Sequence, residues 1–117
     1  IAIESGGVRI RARLLSTPTA EIVWRALPLF STLRFWGRLV RFDLPLEAYR
    51  EPKARDVLRK GEIAFSPDRD DLFMGYGATP IAERGEIRLP SPANVFAVAI
   101  DDADIATLAI VSPGGTG

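Results

Sequence analysis

Residues 8–15 read VRIRARLL, and Val8, Ile10, Ala12 and Leu14 alternate with Arg9, Arg11 and Arg13. A period of two puts each set on its own face, which predicts a strand with one buried face. The preceding IAIES, closed by Gly6-Gly7, reads as its hairpin partner. The period then changes. Ser16-Thr17-Pro18 offers a cap followed by proline at the first helical position, and Ile22, Val23, Ala26, Leu27 and Phe30 form a helical apolar stripe. Glu21 and Arg25 lie four apart on the exposed side, and Pro28 stops the run. One helix is expected over about 18–27.

The remaining pattern is mostly β. TLRFWGRLVRFDL, residues 32–44, has two β-rich runs about Gly37, which suggests a hairpin or a sharp bend, with Val40, Phe42 and Leu44 on one face. A short helical turn is expected near 54–58. Gly61 launches EIAFSP, with Ile63 and Phe65 pointing one way. Residues 67–71 are turn chemistry, and LFMGY, 72–76, is the returning strand. A long connection follows, with one short strand near 86–89. NVFAVAI, 94–100, is apolar at both parities, as a central strand is. Asp101 or Asp102 can cap a last helix near 103–109. Seven or eight short strands in so short a chain point to a closed or nearly closed barrel, in which no sheet edge stays exposed.

Composition narrows the chemistry. The 117 residues suit a single domain, 1–117, and 47% are hydrophobic, enough for a core. Lys+Arg and Asp+Glu both number 15, so no basic excess marks a nucleic-acid binder or an electrostatic membrane anchor. With neither Cys nor His, thiol nucleophiles, disulfides, zinc–cysteine sites and the commonest general base are excluded. No cofactor motif stands out, and no cofactor or metal is expected. No apolar run nears the roughly 20 residues that span a bilayer, and no signal peptide opens the chain, so a cytoplasmic protein is the expectation.

Several stretches were candidates for function. GYGATP resembles a phosphate loop only in letters, because Pro80 follows and no periodic helix is there to present amides. A strand end, in which glycine lets the backbone bend or approach a neighbour, fits better. The Arg9, Arg11, Arg13 row could meet an anion, but a solvated face paired with acids is the simpler reading. Asp101, Asp102 and Asp104 lack the glycine and glutamate of a calcium loop, with Ala106 and Ser112 in those places, so capping explains them. Glu62, Asp68, Asp70 and Asp71 surround one hairpin and are expected to be solvated, with nothing to split their pKa values. LRFWGRLVRF interleaves Phe35 and Trp36 with Arg34, Arg38 and Arg41, a pattern that suits either a binding cleft or a barrel end.

The ordered series FWGRLVRFDLP, GEIAFSPDRDDLFMGYGATPI and SPANVFAVAIDD resembles the small bacterial and archaeal cyclophilin-like proteins, a family without an assigned activity, over about residues 3–105. The resemblance implies an eight-stranded antiparallel barrel closed by one or two short helices. Where members usually have an acidic residue after Trp36-Gly37, this chain has Arg38, and it ends in SPGGTG where a closing strand is expected, leaving Leu108 to Val111 for that role. The wider likeness to cyclophilins raises prolyl isomerisation, whose barrier of about 18–20 kcal/mol is set by amide resonance. That chemistry needs an apolar pocket and an arginine donating to the prolyl nitrogen, not a nucleophile. Arg34 and Phe73 stand nearest to those roles, while Asp70-Asp71 replaces the expected polar pair. The leading expectation is therefore a noncatalytic binder of a small molecule or a proline-containing peptide, with Arg34, Trp36, Arg41, Phe73, Tyr76 and Asn94 around the cleft. A weak isomerase and a self-associating homo-oligomer are the alternatives.

Overall fold

In the computed structural model, residues 1–5, 8–28, 33–36, 39–43, 46–76 and 86–105 are described. Strands β1 (Ala2–Ser5) and β2 (Val8–Leu14) pair antiparallel, as the alternation predicts, with Glu4 opposite Arg9. Helix α1 (Pro18–Ala26) begins where the cap and proline place it, and the Thr17 hydroxyl accepts from the Ala20 amide. Its Ala20 and Val23 are buried against the sheet. Strands β3 (Leu33–Trp36) and β4 (Leu39–Asp43) form the expected hairpin.

Two expectations fail in the next segment. Residues 55–58 form strand β5 (Arg55–Leu58), not a helical turn, because they pair with the chain that returns at Ile87–Ala93. Non-local pairing here outweighs a weak local preference. Strands β6 (Glu62–Ser66) and β7 (Asp71–Gly75) form the anticipated hairpin. The short strand near 86–89 and the strand 94–100 are one element, β8 (Ile87–Ala99), which runs through Pro90 and Pro92. Proline removes a ladder donor, so it is tolerated where pairing is irregular. That condition holds here: β8 pairs with β5 before Asn94 and with β6 after it, with a register shift on each side. A helical turn follows at 102–105, with the Ala103 amide donating to the Asp101 carboxylate at 2.9 Å.

The strand path is β1-β2-β8-β6-β7-β4-β3, with β5 joined to β8 off that path. The expected barrel does not close: no ladder joins β1 to β3 among the described residues, and the sheet is open. The reason lies in the second face of the sheet. In a small barrel, one face of each strand would look outward to solvent. Here every residue of β6 and β7 is buried. One face packs Ile63, Phe65, Leu72 and Met74 against Val40, Phe96 and α1. The other packs Ala64 and Phe73 beneath Leu58 of β5 and Ile87, Leu89 and Ala93 of β8. The long strand folds back over its own sheet, so two-sided burial comes from layering and not from closure. Gly75 permits it: a Cβ there would lie 2.4 Å from Ile87 Cγ2. The glycine of LFMGY thus serves close approach of a neighbour. Gly77 to Ile81, Gly37, Leu44 and the proposed closing strand at Leu108 to Val111 lie outside the described residues.

Candidate functional site

Of the six residues expected to line a cleft, Phe73 and Tyr76 lie on opposite faces of the sheet. The ladder β3-β4-β7 brings Arg34 opposite Arg41, and Arg41 opposite Phe73. Trp36 is at the register position opposite Leu39. For Arg34 and Trp36 only these backbone positions are described. Phe73 is fully enclosed in the second apolar cluster, and Tyr76 is buried in the first, on the side of α1.

Asn94 is 1% exposed, and its amide is engaged by protein. Its Oδ1 accepts from the Glu51 amide at 2.8 Å, and its Nδ2 donates to Thr19 Oγ1 at 3.0 Å and to the Tyr49 carbonyl at 2.8 Å. Thr19 Oγ1 in turn donates to Glu51 Oε2 at 2.5 Å. Three elements meet at this node: β8, the start of α1 and the segment after β4. A buried amide with its bonds made fixes that meeting point.

The carboxylates of the β6-β7 hairpin divide in the same way. Asp68 and Asp70 are exposed in the turn, as expected, but Glu62 and Asp71 are buried, which corrects the expectation that all four are solvated. Arg55 clasps Glu62 through two bonds, Nη1 to Oε1 at 2.8 Å and Nη2 to Oε2 at 2.5 Å. The Arg59 amide donates to Oε1 at 2.5 Å. Burial pushes the Glu62 carboxyl up, but these donors outweigh it and hold the carboxyl below its ordinary value. Asp71, only 2% exposed, receives one close bond, from Arg41 Nη2 to Oδ2 at 2.7 Å. Arg69 Nε is 3.8 Å from the same oxygen. Asp71 Oδ1 and Arg41 Nε are buried without a hydrogen-bond partner among the described residues. Asp43 stands directly opposite Asp71 in the ladder. Burial first, and then the facing Asp43 carboxyl, raise the Asp71 pKa against the pull of Arg41. Sequence reasoning missed this centre, although LFMGY showed no alternation and so implied cover on both faces for the acid beside it.

An open groove lies elsewhere, where α1 meets β2 and the end of β8. Its volume is about 570 Å³, and Leu14, Trp24, Val98 and Ile100 form its apolar wall, with Arg13 as the charged side chain. Trp24 is 60% exposed and Ile100 64%, so both present large apolar surface to water. A second groove of about 480 Å³ shares Leu14 and Trp24 and adds Thr17 and Glu21. Trp24 lies outside the apolar stripe of the helical segment, and periodicity alone gave no reason to single it out. Among the described residues there is no cluster of three or more acidic side chains able to hold a metal ion, and no helix long and apolar enough to cross a membrane.

The model of one protein family, described as Cyclophilin-like, matches residues 1–111. The chain belongs to the cyclophilin-like family. No curated protein matches it. The family assignment brings no activity with it, so the site must carry the functional argument.

Proposed function

We propose that this cyclophilin-like domain is a noncatalytic binder of a small molecule or peptide, and that the ligand lies against Trp24 in the groove between α1, β2 and β8. The observation that carries this reading is the pairing of an exposed tryptophan and an exposed isoleucine across one groove of about 570 Å³. That volume falls within the range of about 300–1,000 Å³ usual for ligand sites. Large apolar side chains held in water are costly unless a partner covers them. The enclosure of Phe73 also favours binding over catalysis, since isomerisation needs an open apolar pocket for the proline ring.

A thermal-shift screen tests the proposal. A ligand at one hundred times its Kd adds about 2.7 kcal/mol to apparent stability. Compounds that stabilise the wild type are expected to lose that effect in Trp24→Ala. Hits that stabilise the variant equally would move the site elsewhere, and a screen without hits would count against the binder. The isomerase alternative is tested by cis–trans rates of a prolyl peptide with wild type and Arg34→Ala. No acceleration is expected, and acceleration lost in the variant would reverse the assignment.

A further inference from the structure

We propose that the Trp24 groove selects an apolar molecule bearing a carboxylate, and that Arg13 receives the carboxylate. The inference rests on the binding reading above and adds the class of ligand. It starts from the arginine row of β2. Arg9 pairs with Glu4 at 3.2 Å. Arg11 pairs with Asp101 at 3.2 Å and with Asp104 at 3.7 Å. Arg13, next at the same parity of the strand, has no ion pair among the described residues and is the charged side chain lining the groove. The row that looked uniform in sequence therefore contains two paired cations and one left over, and the one left over lines the same groove as Trp24 and Ile100.

The surroundings of Arg13 set the preference. Its register partner is Val98, which offers no charge. The acid on the helix side, Glu21, is held by Arg25 at 2.9 Å. A ligand covering the apolar wall also strips water from the guanidinium. A neutral head leaves some of those donors unmatched, which costs free energy. A carboxylate matches them with two charge-assisted bonds in the planar geometry that arginine favours. A cationic head meets repulsion. A free carboxylic acid and the C-terminus of a peptide share this chemistry, so the test must separate them.

Titration calorimetry does so with four probes: octanoate, octanamide, acetyl-Ala-Leu-Phe with a free C-terminus, and the same peptide amidated. The proteins are wild type, Arg13→Gln and Trp24→Ala. At least one carboxylate is expected to bind about tenfold more tightly than its amide, an advantage that Arg13→Gln abolishes. Octanoate alone would identify a small acid, and the peptide alone a C-terminus. Equal affinity for acid and amide, or a preference that survives Arg13→Gln, overturns the carboxylate. If Trp24→Ala still weakens both probes in that case, the groove stands and only the ligand class falls. Failure of wild type to bind either carboxylate also overturns the proposal, and the thermal-shift screen separately reports whether the groove binds other compounds. Arg13 is exposed, so unchanged thermal unfolding of Arg13→Gln is the folding control.

Discussion

Glu62 and Asp71 open neighbouring strands of one hairpin, and both are buried, but their surroundings treat the charge in opposite ways. Glu62 meets a forked guanidinium and a backbone amide, so its ionised form is matched by donors. Asp71 meets one arm of Arg41 and a second carboxyl across the ladder. Burial alone therefore does not make an acid a strong or a weak one. The number of donors aimed at it decides. The first arrangement ties β5 to β6, and the second sets two acids opposite each other across β4 and β7.

Replacing a carboxylate by its amide separates the two centres. Glu62→Gln is expected to cost about 2–3 kcal/mol in denaturant unfolding, because it leaves Arg55 without its counter-charge. Next in size is the coupling within each pair. A double-mutant cycle on Arg55 and Glu62 is expected to give about 2 kcal/mol, and one on Arg41 and Asp71 clearly less. Equal couplings would erase the distinction. Asp71→Asn is expected to change stability at neutral pH by about 1 kcal/mol or less, in the stabilising direction, since the amide supplies a donor without a charge.

The pH dependence sharpens the contrast further. Glu62 is lowered, so its contribution is present above its unfolded value of 4.5 and is lost as pH falls through the folded value. Asp71 is raised, so its contribution is full below 3.8 and is lost as pH rises through the folded value. Stability measured against pH should lose part of its acid limb in Glu62→Gln. It should lose an opposing decline, seen as pH rises, in Asp71→Asn. The same slope in both variants would break the comparison.

Much of the fold was legible because local pattern and tertiary partner agree in it. The β1-β2 hairpin, α1 with its Thr17 cap, the β3-β4 hairpin and the β6-β7 hairpin all follow from period and turn chemistry. Where the partner is remote, the pattern was silent. Arg55–Leu58 becomes a strand only because Ile87–Ala93 lies beside it, and Pro90 and Pro92 disguised the continuity of that partner. The open sheet was missed for the same reason, since strand count does not say what covers the second face. Of the site, Asn94 and Phe73 were expected to line a cleft, but which face and which bonds absorb them depends on residues 43 and 9 or more places away. Trp24 and Arg13 come together only when α1 lies beside β2 and β8.

The divided partnership of β8 also bears on how the chain is made. It is the last of the described strands to leave the ribosome, and among them it alone joins β2 to β6. Until Ala97–Ala99 appear, Ala12–Leu14 have no partner on that side among the described residues, and β2 and β6 each keep an open edge. A single late strand joins the two parts of the sheet and contributes to both apolar layers.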